Sequence, residues 1–269
     1  MINILNRTNN NDDAVSSDFN IMRHWDPEFF VDQLEILANF GVKTIRLSDE
    51  MFFLNKKIYT QILTRIIERG LKFNLWAYAR VDTVREDQLE LFKKAGVNWL
   101  ALGIEAANQN VRQNIDKGRF KDVNIRDVVK LIQSYDINVL GNYIFGFPDE
   151  KIENMQQTLD LAIELKTEHA NFYPCQALPG SPLYLKAKKE NWDLPKSYEE
   201  FAFFSYESKP LRTNYCSSAE VLRFRDEAWQ KYFTNENYLN FIEKKFGKDN
   251  SNNIKKLSEI KLKRKILGH

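Results

Sequence analysis

Val139–Cys175 reads VLGNYIFGFPDEKIENMQQTLDLAIELKTEHANFYPC, and this stretch decides the fold. Val139 to Phe145 is a short apolar run of strand length, closed by Gly146-Phe147-Pro148, where glycine turns the chain and proline removes a backbone donor. A helical pattern near 152–167 follows, and then a second short run, Ala170 to Cys175. A strand, a helix and a strand in close succession make the unit of a parallel sheet. Toward the N-terminus the unit repeats. A helix near 121–135 precedes the strand 139–145. A helix over about 85–95 stops at Gly96 and leads into Asn98 to Gly103. Ile58, Ile62 and Ile66 recur at helical spacing before Gly70 and the strand Phe73 to Ala77. The first helix opens at Asp26-Pro27-Glu28, where aspartate caps and proline suits the first turn. Its face of Phe30, Leu34 and Leu37 ends at Gly41, ahead of the strand Lys43 to Ser48.

Helix–strand repeated five times predicts an α/β fold with a parallel sheet, either a barrel or a doubly wound sheet. The series opens on a helix, whereas a βα series opens on a strand. An opening strand is therefore expected to be absent, and a barrel without it would have a bare edge of backbone donors and acceptors. After Pro182 the pattern changes to aromatic and charged residues with helical spacing in Glu220 to Phe233 and Tyr238 to Phe246. Gly247 to Asn253 reads as a polar link. Lys255 to Ile266 reads as a basic, solvated helix face, with Ile254, Leu257 and Ile260 at spacing three. The expected organisation is a polar lead-in over 1–26, the α/β series over 27–185 and a C-terminal helical extension over 186–269. Phe201, Phe203, Phe204 and Tyr206 read as packing between extension and barrel.

The chain has 269 residues, 43% of them hydrophobic, which is enough for a large core. With 39 basic and 37 acidic residues the net charge is +2, which gives no reason to expect a nucleic-acid partner. No apolar run approaches the roughly 20 residues of a membrane span. Met1 to Asp18 carries a single arginine among Asn and Asp, unlike a signal or transit peptide, so a cytoplasmic protein is the expectation. Cys175 and Cys216 are far apart, and His24, His169 and His269 are scattered, so no metal-ligand spacing is present.

In parallel α/β folds ligands bind beyond the carboxyl ends of the strands. Those ends carry Asp49-Glu50, then Arg80 and Asp82, then Ile104-Glu105, then Gly146-Phe147-Pro148, and finally Leu178-Pro179-Gly180-Ser181-Pro182. Carboxylates accept from an ammonium and from ribose hydroxyls, and arginine grips a carboxylate with two bonds. Glycine lets backbone approach a flat base. An amino-acid-bearing nucleoside needs this combination. Taken singly, an acid after a strand is often only a helix cap, and Gly-Phe-Pro only a turn.

Several of these segments together resemble the radical S-adenosylmethionine (radical SAM) enzymes. Gly103-Ile104-Glu105 with Asn114-Ile115-Asp116-Lys117-Gly118 is similar to their fourth-strand signature, and Ile144-Phe145-Gly146-Phe147-Pro148 to their fifth. Ser48-Asp49-Glu50-Met51-Phe52 is similar to the segment after their second strand. Leu178-Pro179-Gly180-Ser181-Pro182-Leu183-Tyr184 resembles the segment after the sixth, in the form found in the cobalamin-binding subgroup with its many methyltransferases. The resemblance covers about 27–185 and implies that this stretch forms a partial (β/α)6 TIM-like barrel lacking its first strand. It implies that Asp49 and Glu50 face the methionine amino group, that Arg80 reaches the methionine carboxylate and that Glu105 binds the ribose. The backbone of Ile144 to Gly146 would line the adenine, and Pro179, Gly180 and Ser181 would shape the substrate side.

The family holds a four-iron four-sulfur cluster through Cys-x3-Cys-x2-Cys after the first strand. Its open iron is chelated by S-adenosylmethionine, whose reductive cleavage gives a 5′-deoxyadenosyl radical. Clusters need thiolates, and this chain lacks the motif. One omission accounts for the absent strand and the absent cysteines: a chain that starts late, or a true cluster-free pseudoenzyme. The resemblance therefore implies S-adenosylmethionine as ligand and a small metabolite as substrate. Cluster and cobalamin are expected of a full-length member and not of this chain alone. The rival readings are a noncatalytic barrel subunit that partners a full-length homologue, and a barrel hydrolase or aldolase using Asp49, Glu50 and Glu105. The second lacks a catalytic histidine on the rim.

Overall fold

The computed structural model describes residues 24–109, 111 and 123–269 of the chain. The expected lead-in up to residue 23 and the segment Asn114 to Gly118 lie outside the described residues. The described strands form one parallel sheet in the order β1-β2-β3-β4-β5. Each strand neighbours the next in sequence, as in a barrel; a doubly wound sheet would reverse its order at a switch point. The described chain divides into two compact units, one of residues 24–143 and 157–171, the other of 144–156 and 172–269.

The first unit holds α1 (Pro27–Asn39), β1 (Thr44–Arg46), α2 (Lys56–Glu68), β2 (Asn74–Arg80), α3 (Glu86–Lys94), β3 (Val97–Glu105) and α4 (Ile125–Ser134). It also contains the first residues of β4 (Asn138–Phe145), most of α5 (Ile152–Leu165) and the start of β5 (His169–Pro174). The Asp26 carboxylate accepts from the Glu28 and Phe29 amides at 3.0 and 3.1 Å, which fixes the start of α1 as its sequence predicts. β2 alternates: Leu75, Ala77 and Ala79 are buried, with Leu63, Ile66, Leu89 and Phe92 of α2 and α3 also in the core. Phe53 stacks on Phe92 with ring centres 4.2 Å apart. The other face of β2 carries Asn74, Trp76, Tyr78 and Arg80, all half-buried. The Arg46 guanidinium lies 4.4 Å from the centre of the Trp76 ring and donates to the Tyr78 hydroxyl. The predicted strand Lys43 to Ser48 is shorter than expected, at Thr44–Arg46, although the Leu47 amide still donates to the Trp76 carbonyl at 2.8 Å. Between α1 and α2, Arg69 donates to Asp32 and Glu35 at 2.7 Å each, and also to Glu28. Solvent at these partners keeps such pairs to about 1 kcal/mol or less.

The second unit completes β4 and β5 and adds α6 (Pro182–Lys189), the short α7 (Tyr198–Phe201), α8 (Ser218–Phe233), α9 (Glu236–Phe246) and α10 (Lys248–Ser258). Phe145 stacks on Phe172, and their rings meet Phe224 and Tyr232 of α8 edge-on. Ser217 and Glu220 form a reciprocal capping box at the start of α8. Two expectations fail here. Gly247 to Asn253 is not a link, because Gly247 alone joins α9 to α10. Ser251 is fully buried and its hydroxyl donates to the Leu239 carbonyl, so a small polar residue lets α10 lie against α9. Nor is Lys255 to Ile266 one helix: α10 stops at Ser258, and Leu257 and Ile260 are exposed. The chain is drawn inward instead by Arg264, which has no exposed surface. Its guanidinium donates to both oxygens of Asp226 at 2.9 Å and to the carbonyls of Phe203 and Ser205 at 3.0 and 2.8 Å. Phe204 and Tyr206 are exposed, whereas Phe203 packs on Tyr173 at 5.1 Å. Among the described residues no helix is long and apolar enough to cross a membrane.

Candidate functional site

In the first unit the rim is built at the ends of β2 and β3. Glu105 closes β3 in a left-handed conformation, φ 66°, with 7% of its surface exposed. That region is uncommon for a residue with a side chain and marks strain held by its surroundings. The strain has a visible origin. β3 and β4 pair Gly103 with Asn142 and then Glu105 with Tyr143, so Ile104 is an extra residue in β3. A bulge of this kind re-aims the side chain that follows it. The Glu105 carboxylate folds back over Gly103, where an added Cβ would lie 2.8 Å from Oε1. Gly103 therefore leaves the room that this carboxylate occupies.

Arg80, at the end of β2, stands in register with Gly103. Its Nε and Nη2 donate to the two oxygens of Asp82 at 2.8 and 2.7 Å. The Asp82 bonds raise the pKa of Arg80 against the opposing effect of burial, with a smaller contribution from the charge of Glu105. The two-pronged edge expected to grip a ligand carboxylate thus engages Asp82, which shares that strand end. Asp49 and Glu50 are exposed. Asp49 accepts from the Met51 amide at 2.8 Å and shapes the turn after β1. Glu50 lines one small pocket with Tyr78, Arg80 and Thr83, so the structure brings Glu50 and Arg80 together.

In the second unit Ile144 is the next-to-last residue of β4, and Gly146 follows its end at Phe145. Gly146 has φ 88°, and a Cβ there would lie 2.4 Å from Val221 Cγ1 of α8. The amides of Gly146 and Phe147 both donate to Glu150 Oε2, at 2.8 and 3.0 Å. Glu150 has no exposed surface, and its Oε1 has no hydrogen-bond partner among the described residues. Burial pushes its pKa up to about 7, against the two amide bonds, which lower it. Sequence reasoning missed Glu150. The signal was an acid four residues after the strand-ending glycine, placed to accept the donors that a turn leaves unpaired.

Pro179, Gly180 and Ser181 form a turn and a helix start. The Ser181 amide donates to the Leu178 carbonyl at 3.1 Å, and Gly180 has φ 83°, as a type II turn with proline and glycine at its centre requires. The Ser181 hydroxyl accepts from the Tyr184 amide at 3.1 Å and caps α6, with Pro182 in the first turn. Ile144 packs with Leu183 and Tyr184 against a cluster of Cys175, Ala177, Ala187 and Leu211. Ser181→Ala is expected to cost about 1 kcal/mol through the lost cap, read from urea unfolding. A loss below a few tenths would show that the hydroxyl does not hold the helix. Cys175 and Cys216 are both buried and form no disulfide, and no three His, Cys, Asp or Glu residues cluster in a metal-binding arrangement among the described residues.

Comparison with known proteins gives a consistent picture. An uncharacterized methyltransferase of Pyrococcus horikoshii is 32% identical over 175 residues, covering 65% of this chain and 38% of that protein. The anaerobic magnesium-protoporphyrin IX monomethyl ester cyclase of Cereibacter sphaeroides is 29% identical over 192 residues, covering 69% and 31%. The chain thus spans less than two fifths of the length of either relative. The fold matches TsrM, a radical S-adenosylmethionine methyltransferase of Kitasatospora setae, with a TM-score of 0.57 and 18% identity over 74% of this chain and 40% of that one. It also matches the cobalamin-dependent S-adenosylmethionine radical enzyme OxsB, at 0.57 and 15% over 88% and 41%. The model of the radical SAM superfamily matches residues 10–162, more than half of the sequence. On that match, and on a sheet of sequentially ordered parallel strands, the chain belongs to the radical SAM superfamily.

Proposed function

We propose that this chain carries the S-adenosylmethionine-binding rim of a radical SAM enzyme acting on a small molecule, in the methyl-transferring branch of the family. The observation that carries the reading is Glu105. A buried acid held in a strained left-handed conformation by a bulge, over a glycine that makes room for it, is built to present a carboxylate at a strand end. In this reading Glu105 accepts from the ribose hydroxyls. Asp49 and Glu50 accept from the methionine ammonium, and Arg80, held by Asp82, adds positive charge near the methionine carboxylate. The backbone of Ile144 and Gly146 lies against the adenine, with Glu150 fixing the Gly146 and Phe147 amides. Pro179, Gly180 and Ser181 border the substrate. The relatives named methyltransferases, and the cobalamin held by TsrM, support the methyl-transfer branch.

The cluster does not fit this chain. Its two cysteines, both buried, cannot provide three thiolates. No chemical step through a cluster is assigned to these residues. The chain alone is therefore inactive and binds S-adenosylmethionine weakly, because the iron that anchors the amino acid is not its own. Calorimetric titration of the isolated chain is expected to give a Kd on the order of millimolar. Submicromolar affinity would overturn the claim that the anchor lies elsewhere, and no saturable binding would overturn the rim itself.

A second reading is a noncatalytic barrel subunit that partners a full-length homologue. It draws on the exposed apolar residues of and around α1: Trp25 is 71% exposed, Phe40 80%, and Phe29 and Ile36 about half. Co-elution of the chain with a full-length homologue would favour it over the first.

A further inference from the structure

The second unit contains a cavity of about 760 Å³ beside α8, lined by none of the residues assigned to the site described above. Its walls are mainly apolar: Phe204, Trp229, Leu257, Ile260, Leu262 and Leu267. Pockets of some 300–1,000 Å³ with apolar walls and a few placed polar groups are the usual form of small-molecule sites. Among the polar groups that line it, Arg225 is buried, with only 4% of its surface exposed. Its Nε donates to the Phe172 carbonyl at 2.8 Å and its Nη1 to Asp226 at 2.7 Å. Its Nη2 has no hydrogen bond among the described residues, and Phe204 lies over the guanidinium with its ring centre 5.0 Å away.

The charge count at this wall is unbalanced. Asp226 is shared by two arginines, Arg225 and Arg264, both almost wholly buried. One carboxylate against two guanidiniums leaves an excess positive charge in an apolar setting, where an unpaired charge is costly. Arg223, Lys231 and Lys261 also border the cavity, against Glu227 as the further acid.

We propose that this cavity binds a small amphipathic carboxylate, a molecule with an apolar body and a single anionic head. The head takes the free donor of Arg225 and neutralises the excess charge. The body displaces water from Trp229, Leu257, Ile260 and Leu262. The ligand class follows from the buried cationic donor of Arg225, the excess of basic over acidic side chains at the wall and its mainly apolar surface.

The test is calorimetric titration of the full chain with laurate below its micellar concentration, beside its uncharged methyl ester. Saturable one-to-one binding of laurate is expected, at least tenfold tighter than the ester, as a charged hydrogen bond implies. Arg225→Met is expected to weaken laurate by roughly tenfold or more and to leave the ester unchanged. Because Arg225 is buried and its variant could unfold, Ile260→Asp provides a second arm. Ile260 is 61% exposed, so the substitution spares the core while placing a negative charge at the cavity mouth. It too should weaken laurate at least tenfold. No saturable binding, equal affinity for laurate and ester, or wild-type affinity in Ile260→Asp would each overturn the proposal.

Discussion

Gly146→Ala is expected to destabilise the chain by roughly 2–5 kcal/mol, through two separable causes. The first is backbone: φ is 88°, where a residue with a Cβ is strained by about 1–2 kcal/mol. The second is steric, because the new methyl would sit 2.4 Å from Val221 Cγ1, and Val221 is fully buried in α8. A methyl group forced into a packed core costs about 1–3 kcal/mol. Only the second cause depends on Val221. Urea denaturation of Gly146→Ala, Val221→Ala and the double variant separates the two. The double variant should be more stable than the sum of the singles by about 1 kcal/mol or more. Strict additivity would mean that Val221 does not confine this turn. The result bears on function because the same turn presents the Gly146 and Phe147 amides.

The second large effect is a pH dependence of stability from Glu150. Its folded pKa is raised from 4.5 to about 7. The native state therefore favours the protonated acid more than the unfolded chain does. The stability this confers is fully present below the unfolded pKa and is lost as pH rises from about 4.5 through about 7. A shift of that size corresponds to a loss on the order of 3 kcal/mol. Glu150→Gln keeps an oxygen for the two amides and removes the titration. The difference in stability between wild type and Glu150→Gln should therefore move in favour of the variant between pH 4.5 and 8. A difference that stays constant across that range would show that Glu150 is ionised in the folded state without penalty.

The alternation of helices and strands was legible because each strand is short, apolar and bounded by glycine, and each helix carries a clear apolar face. Asp26 and the glycines at 41, 70 and 96 mark element ends in the sequence as they do in the structure. The order of the strands was not legible, since helix–strand periodicity is the same in a barrel and a doubly wound sheet. α10 was missed because Asn and Ser dominate its first turns and read as a link, whereas Ser251 is chosen for close approach to α9. At the site, Glu105, Gly146 and Arg80 stood out by position after strands. What sequence could not give was their surroundings. Gly103 as the space for Glu105, Asp82 as the partner that holds Arg80, and Glu150 beneath the Gly146 turn depend on register and burial. Neither is written in residue type. Arg264 is the extreme case, a charged residue in a basic run that reads as solvent-facing and is fully buried.

Binding of S-adenosylmethionine by Glu105→Gln, compared with wild type by calorimetry at equal folded fraction, tests the central claim most directly. Glutamine preserves the size of the side chain over Gly103 and removes the charge that would hold the ribose hydroxyls. The account predicts an affinity roughly tenfold or more below wild type, the loss of a charged hydrogen bond, with the unfolding midpoint little changed. Unchanged affinity would contradict it, and the strained carboxylate at the end of β3 would then have another purpose than recognising the nucleoside.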